Sequence, residues 1–114
     1  KNTYYRPWGK YVNLFEGKGF LVKELFVKPG ASLSLQKHNH REEHWLITQG
    51  SPKITLNNDT LNKKTNDSVF IPKGAIHRIN NPFKAIVKII EIQIGSILKE
   101  SDIIRYQDIY GRVK

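Results

Sequence analysis

Hydrophobic residues along this chain cluster in short runs that alternate with polar residues and are separated by turn-forming residues. Such a pattern predicts β-strands, because alternate side chains of a strand point to opposite faces. Asn57, Asn58 and Asp59 separate two of these runs and predict a hairpin turn, since Asn and Asp tolerate left-handed backbone. The predicted strands cover residues 20–28, 33–38, 44–48, 53–56, 68–71 and 85–94.

One segment near the end of the chain has the features of a helix instead. Residues 101–107 begin with Ser101 and Asp102, either of which can cap a helix.

Elsewhere, many short strands at regular spacing favour a sandwich or a closed barrel. The length of 114 residues is typical of one domain. We therefore expect a single all-β domain over residues 1–114 with a short C-terminal helical segment. Because the sequence lacks an initiator methionine, we expect the chain to be a piece of a longer protein.

The predicted strand 33–38 places polar and apolar side chains on opposite faces. One face carries Gln36 and His38. Polar side chains that face a barrel interior cost free energy unless they bind something. The opposite face carries Leu33 and Leu35, so it also needs to be covered, either by another sheet or by a second subunit. The second possibility predicts a homodimer.

The chain is basic, with 19 Lys and Arg residues against 10 Asp and Glu residues and a net charge of +9. A basic surface attracts anions, but nucleic-acid-binding proteins gather such charge in a run or on one face. Here the lysines are dispersed and the longest basic run is Lys63-Lys64. We therefore expect no nucleic-acid partner. The positive charge belongs either to a solvated basic surface or to a site for a phosphate-bearing small molecule.

The absence of cysteine excludes disulfides and thiolate chemistry, and no apolar run is long enough to span a membrane. We expect a cytoplasmic protein without a membrane partner.

Four residues with metal-binding side chains lie in two glycine-containing blocks. One metal ion would need ligands from both blocks, the first from Gly30 to Gly50 and the second over residues 72–81. Imidazole and carboxylate ligands suit zinc, iron, manganese, cobalt or nickel. Without thiolates a structural zinc site is not favoured, and three or four protein ligands would leave positions open for substrate, as in a catalytic site. The candidate ligands are Gln36, His38, Glu43 and His77.

Two further histidines lie near these ligands in the sequence, and the chain contains two tryptophans. His40 shares the face of His38, so it is a candidate fifth ligand, proton-transfer group or hydrogen-bond partner of a ligand. His44 should face away from the ligand positions and be structural. Trp8 and Trp45 are expected in the core or at an interface rather than under a sugar ring.

The two blocks resemble the two motifs of the cupin superfamily, which are small double-stranded β-helix (jelly-roll) barrels. Gln36 stands in the place of the first histidine of the usual His-x-His motif, and Asn66 in the place of the glycine that begins the second motif. The glutamine variant, within residues 28–45, is similar to the cupin domain of type II phosphomannose isomerases. The blocks Arg6-Pro7-Trp8-Gly9, 71–82 and 108–112 also resemble that family and occur in its order.

In that family this domain typically forms the C-terminal part of a bifunctional protein whose N-terminal part is a nucleotidyltransferase that makes GDP-mannose. The resemblance implies that the chain interconverts mannose 6-phosphate and fructose 6-phosphate, in support of GDP-mannose and polysaccharide precursor synthesis. It implies a divalent metal ion, zinc first, with cobalt, manganese, nickel or magnesium as alternatives. It also implies functional importance for three arginines, which match Arg41, Arg105 and Arg112.

The implied reaction moves a proton between C1 and C2 of the sugar, and a metal that holds the substrate oxygens would stabilise the negative charge that develops. A positioned base would carry the proton. His40 is the first candidate for this base, ahead of Lys37 and Glu42. The phosphate group needs cations, and the planar guanidinium fork suits it. The candidates to bind it are Arg41, Arg78, Arg105 and Arg112.

Two other functions compete with isomerisation. The first is a cupin module that binds a sugar or a nucleotide sugar without catalysis, as part of a mannose-1-phosphate guanylyltransferase. The second is a metal-dependent oxygenase. Oxygenase chemistry generally uses three histidines, or two with a carboxylate, on iron, so Gln36 argues against it.

Overall fold

The computed structural model describes residues 2–107, which form eleven β-strands. Within this part of the chain there is no helix, and therefore none that could cross a membrane. The strands are β1 (Asn2–Arg6), β2 (Gly9–Gly17), β3 (Phe20–Val27), β4 (Leu35–Lys37), β5 (Arg41–Gln49), β6 (Lys53–Leu56), β7 (Asp59–Asn62), β8 (Ser68–Ile71), β9 (His77–Asn80), β10 (Val87–Gly95) and β11 (Ile104–Gln107).

The strands form two antiparallel sheets around one core. The six-stranded sheet has the order β1-β2-β3-β10-β5-β8, and the five-stranded sheet has the order β11-β4-β9-β6-β7. Strand β10 lies in the middle of the larger sheet, paired with β3 on one side and β5 on the other. The core cluster joins side chains of both sheets, among them Ile47 and Ile89 of the larger sheet with Ile54 and Ile79 of the smaller one. Two sheets packed face to face give the all-β fold that the sequence predicted.

The inner face of the larger sheet changes from apolar to polar along its strands. Buried and more exposed positions alternate along β3, β5 and β10, as expected for strands with one face inward. At one end these inward side chains belong to the hydrophobic core. At the other end they are Lys23, Arg41, Glu43, Glu91 and Gln93, each 5% exposed or less. We call these five residues the polar end of the barrel. Because buried charges are unfavourable unless they are paired or bind a ligand, a functional site is expected there.

The predicted hairpin turn is confirmed. Strands β6 and β7 pair from Leu56 and Asp59 outward, so Asn57 and Asn58 form a two-residue turn. Asn57 has a φ of 53°, in the left-handed region that asparagine tolerates.

The helix predicted over residues 101–107 is wrong, because Ile104–Gln107 is strand β11 and pairs with β4. Two tertiary contacts override the capping signal. The Asp102 carboxylate, expected to cap a helix, accepts the backbone N–H groups of Asn39 at 3.2 Å and His40 at 3.0 Å. The edge of β4 then pairs with a segment that contains the β-favouring residues Ile104 and Tyr106.

The two leucines expected to need cover lie in different environments. Leu33 belongs to the core cluster of this chain, and Leu35 is half-buried. Strand β4 is shorter than predicted and begins at Leu35. The predicted alternation of inward and outward side chains therefore does not extend back to Leu33, and the two leucines need not share a face. Leu33 thus gives no support for a second subunit, and the homodimer stays a prediction.

Asn81 directly follows β9, and its side chain connects this position to the end of β3 and to the loop that leads to β10. Its side-chain N–H groups donate to the carbonyl oxygens of Val27 at 3.1 Å, Lys28 at 3.2 Å and Ala85 at 2.9 Å, and the residue is fully buried. Replacement by alanine would leave these buried carbonyl groups with fewer partners, which costs about 2–3 kcal/mol. We expect Asn81→Ala to lower the thermal unfolding midpoint by about 10 °C or more. The exposed turn residue Asn58 provides the control: a midpoint for Asn81→Ala no lower than that of Asn58→Ala would contradict this role.

Candidate metal centre

A cavity opens at the polar end of the barrel, between the two sheets. It brings together candidates that are distant in the sequence. Four predicted ligands and two predicted arginines line it, together with both tryptophans. The predicted site residues in its wall are Gln36, His38, Arg41, Glu43, His77 and Arg105.

The two histidines of this cavity are held by backbone carbonyl groups. Nδ1 of His38 is hydrogen-bonded to the carbonyl oxygen of Asp102, and Nδ1 of His77 lies 3.0 Å from the carbonyl oxygen of Ala75. A carbonyl oxygen can only accept, so Nδ1 carries the proton in both rings and Nε2 keeps its lone pair. This orientation by a carbonyl group is typical of metal-binding histidines.

Burial keeps both imidazoles neutral. It is the largest cause of the lowering of the pKa of His38 to about 4; Glu43 opposes this shift, and the nearby positive charge of Arg41 contributes to it. Burial also lowers the pKa of His77. A neutral imidazole is the form that binds a metal ion, so near neutral pH neither ring needs to lose a proton first.

Glu43 is an ionised carboxylate in the middle of the cavity wall. Its Oε2 accepts from Nε of Arg41 at 2.8 Å and its Oε1 accepts from Nε1 of Trp45 at 2.8 Å. Burial alone would raise the pKa of Glu43, but the charge of Arg41, with smaller contributions from His77 and His38, lowers it to about 2. The centre therefore contains a fixed negative charge next to two neutral nitrogen donors.

Donor atoms of His38, Glu43 and His77 lie within 4.8 Å of one another. The fold closes the gap between the two sequence blocks through the turn at residues 72–74. There the N–H of Gly74 donates to the carbonyl oxygen of His38 at 2.8 Å, and Gly74 has the positive φ of 80° that such a turn requires. Two nitrogens and one carboxylate oxygen suit zinc and its first-row neighbours, so these residues fit a divalent metal ion.

Gln36 enters the same wall from β4. It is the pairing partner of His77 across β4 and β9, and its side chain lines the cavity. A neutral amide at this position would leave the charge of the centre unchanged, whereas a second carboxylate would make it more negative.

Arg41 is a cation in the cavity wall that contacts two of the candidate ligands. Besides its bond to Glu43, its Nη2 donates to Nε2 of His38 at 3.0 Å, and its Nη1 lies 3.4 Å from the carbonyl oxygen of Lys99. The single lone pair of His38 Nε2 serves one partner at a time. A metal ion bound by His38 would therefore require Arg41 to move its Nη2 away from that nitrogen.

Several predicted residues lie outside the cavity or outside the described residues. The ring of His40 is 48% exposed and its Nδ1 is 3.0 Å from Oδ1 of Asp102, so it does not line the cavity. Arg78 contacts Gln107 at 3.4 Å on the exposed side of β9. Residue 112 lies beyond the described part of the chain. Four of the candidate residues named from the sequence do not line the cavity: Lys37, His40, Glu42 and Arg78.

His44 and the two tryptophans lie where the sequence placed them. His44 is exposed on the outer face of β5 and its ring packs 4.8 Å from that of Phe70. Trp8 and Trp45 are both buried in the core cluster, with the ring of Trp45 edge-on to His77 at 5.6 Å.

Sequence reasoning missed the charged residues that β3 and β10 contribute. Lys23 and Glu91 are buried, face each other across these strands and line the cavity. Burial, with a contribution from Glu43, raises the pKa of Glu91 to about 7, and its carboxylate accepts from Nε2 of Gln93 at 2.5 Å. A signal was present in the sequence, because Lys23 lies at an inward position between the apolar Leu21 and Leu25, and Glu91 follows the inward Val87 and Ile89.

Comparison with known proteins gives consistent results. A family model described as mannose-6-phosphate isomerase C-terminal matches residues 1–108 of this chain. The xanthan biosynthesis protein XanB of Xanthomonas campestris pv. campestris (strain B100) is 48% identical over 108 residues, which are 95% of this chain and 23% of XanB. The mannose-1-phosphate guanylyltransferase ManC of Salmonella typhimurium is 45% identical over 109 residues, which are 96% of this chain and 23% of ManC. The chain thus spans less than a quarter of the length of these relatives.

A solved structure of similar fold is the cupin domain of Schizosaccharomyces pombe Cnp3. It has a TM-score of 0.73 and 23% sequence identity, and the match covers 76% of this chain and 64% of that domain. At this identity the likeness shows the fold alone, and it confirms the predicted cupin barrel.

Proposed function

Because the chain belongs to the mannose-6-phosphate isomerase C-terminal family, we propose that its cavity interconverts mannose 6-phosphate and fructose 6-phosphate. The observation that carries this proposal is the meeting of two neutral imidazoles and an ionised carboxylate, within 4.8 Å of one another, in a polar cavity. Supply of GDP-mannose for polysaccharide synthesis and a cytoplasmic location stay predictions.

We assign the metal ion that the family implies to this cluster of side chains. His38, Glu43 and His77 would hold it, with Gln36 beside them in the wall. A bound divalent cation, zinc first and cobalt, manganese, nickel or magnesium as alternatives, would supply Lewis-acid stabilisation of the negative charge on the sugar oxygens. The chain's own contribution is to orient these side chains through carbonyl groups and to keep the centre buried, where charge interactions are stronger than in water.

The proton that moves between C1 and C2 needs a base inside the cavity. Glu91 offers a buried carboxylate in the cavity wall, whereas the ring of His40 lies outside it. We therefore assign proton transfer to Glu91 in place of His40. Arg41 and Arg105 line the same cavity and can contact the anionic substrate, since a guanidinium group keeps its charge at any working pH.

Turnover of the purified chain in deuterium oxide tests this function. With zinc added, we expect fructose 6-phosphate to form from mannose 6-phosphate and deuterium to enter the sugar at C1 or C2, both followed by proton NMR. Glu91→Gln should lower both rates about 100-fold or more while zinc binding persists. If zinc and mannose 6-phosphate bind but neither product nor deuterium incorporation is seen, the chain is a sugar-binding module without catalysis.

A further inference from the structure

Lys23 is a buried cation that the metal centre does not use. It lies on the inner face of β3 and is 4% exposed. Its Nζ is 2.5 Å from Oε2 of Glu100 and 4.2 Å from the centre of the Tyr11 ring. A lysine ammonium is strongly hydrated in water, so its burial requires a compensating anion. In this structure that anion is Glu100.

Glu100 reaches Lys23 from a loop that forms part of the cavity wall. This loop, residues 96–103, joins β10 to β11, and we call it the cover loop. It touches the site at three other places: the carbonyl oxygen of Lys99 accepts from Arg41, that of Asp102 accepts from His38, and Ile103 lines the cavity. The side chain of Glu100 is nevertheless 51% exposed, so its carboxylate can move into solvent while Lys23 cannot.

The charges in the cavity wall favour an anionic ligand next to Lys23. The cationic side chains that line the cavity are Arg6, Lys23, Arg41 and Arg105, and the carboxylates are Glu43, Glu91 and Glu100. Glu43 is bonded to Arg41, and Glu91 accepts from Gln93. If Glu100 leaves, Lys23 loses its hydrogen-bonded anion. Arg6 lines the same cavity and donates to the hydroxyl group of Tyr11 at 3.2 Å, and Lys23 contacts the ring of that tyrosine, so a second cation is available to an anion bound next to Lys23.

The position of Lys23 relative to the metal centre suits a ligand with a phosphate at one end. Lys23 pairs with Glu91 across β3 and β10, and β5, which carries Glu43, is the next strand. Two strand spacings and an offset of two residues along the strands separate Lys23 from Glu43, because Glu43 pairs with Gln93 rather than with Glu91, and together these amount to roughly 12 Å between the Cα atoms. A hexose 6-phosphate carries its reacting carbons and its phosphate at opposite ends, so one molecule can contact both places.

We propose that Lys23, with Arg6, binds the phosphate group of a sugar phosphate, and that Glu100 occupies this phosphate site when no substrate is bound. The sugar part of this inference rests on the proposed function, whereas the phosphate site itself does not. A phosphate monoester carries a charge of about −1.5 to −2 and three acceptor oxygens, against one charge for a carboxylate, so it can displace Glu100. Displacement of Glu100 would also loosen the cover loop and open the cavity.

Binding of inorganic phosphate, measured by isothermal titration calorimetry, tests the proposal. Glu100→Gln removes the competing charge, and we expect phosphate to bind about 5–10 times more tightly than to the unaltered chain. Lys23→Met keeps the apolar stem of the lysine without its charge, and we expect affinity to fall at least tenfold. Glu16→Gln makes the same change as Glu100→Gln at an exposed position of β2 and should leave affinity unchanged. If Lys23→Met does not fold, the comparison of Glu100→Gln with Glu16→Gln decides alone.

Equal phosphate affinity in Glu100→Gln and Glu16→Gln would overturn the proposal. Hydrogen exchange adds a second readout, since phosphate should speed exchange of the cover-loop amides in the unaltered chain, and unchanged or slower exchange would also count against displacement. The outcome is separable from that of the proposed function. If phosphate binding follows Glu100 and Lys23 but no sugar is isomerised, the phosphate site stands and the isomerase does not. If isomerisation proceeds with a KM for mannose 6-phosphate that neither variant changes, the isomerase stands and the phosphate site does not.

Discussion

Replacement of His77 by alanine should lower the affinity of the chain for zinc at least 100-fold and the turnover of mannose 6-phosphate about 1,000-fold. Loss of a residue that merely orients a metal ligand already costs roughly 10–100-fold in affinity, and loss of a ligand itself costs more. The turnover estimate follows from the several kcal/mol of charge stabilisation that a bound metal ion supplies, at about 1.4 kcal/mol for each factor of ten. Competition against a chelator of known zinc affinity measures the first effect, and the coupled appearance of fructose 6-phosphate measures the second.

His44→Ala is the matched control, because it removes a histidine from the outer face of β5, where the ring packs on Phe70 and is exposed. It should bind zinc and turn over substrate as the unaltered chain does. A chelator should abolish turnover of the unaltered chain, and added zinc should restore it. Equal zinc affinity in His77→Ala and His44→Ala would show that the three clustered residues do not form a metal site.

The family and the β-strands were predictable from the sequence, because the signals for both are local. The strands at 53–56 and 68–71 have the observed bounds, since turn residues flank each apolar run. The resemblance to the isomerase family is confirmed by the match over residues 1–108. His38, Glu43 and His77 do converge, as predicted, because a glycine turn joins the two blocks. Whether these residues bind a metal ion stays a prediction.

The parts of the site that were missed depend on contacts between distant segments. Asp102 bonds to the loop at residues 39–40, more than 60 positions earlier, and this contact replaces the helix that its capping signal predicted. Asp102 also holds His40 outside the cavity. The period of two had instead predicted that His40 lies beside His38, on the face that lines the cavity. Lys23 meets Glu100 across a separation of 77 residues. Periodicity gives the direction of a side chain within its own strand, but it cannot show which loop covers that strand.

The position of Arg41 changes what its substitution should do. The resemblance makes Arg41 a functional residue, and on that basis alone Arg41→Ala should lower turnover much more than stability. In the structure its guanidinium group contacts both Glu43 and His38 and is 5% exposed. Removal of one partner of a buried ion pair costs about 3–5 kcal/mol. We therefore expect the metal-free Arg41→Ala protein to unfold at least about 10 °C lower than the unaltered metal-free chain.

Zinc should reverse the loss of stability but not the loss of turnover. In Arg41→Ala the lone pair of His38 Nε2 is released and a positive charge is removed from the centre, so zinc should bind roughly tenfold more tightly or better. The bound cation then neutralises Glu43 in place of the guanidinium group, and the zinc-loaded variant should unfold near the temperature of the zinc-loaded unaltered chain. Its turnover should remain about 100-fold lower, because a cationic donor to the substrate oxygens is lost. Arg41→Lys restores the charge without the planar fork and should return zinc affinity toward its original value while turnover stays low. If the zinc-loaded Arg41→Ala protein loses stability and turnover to the same extent, with no gain in zinc affinity, then Arg41 is a structural residue that serves the folded barrel rather than the reaction.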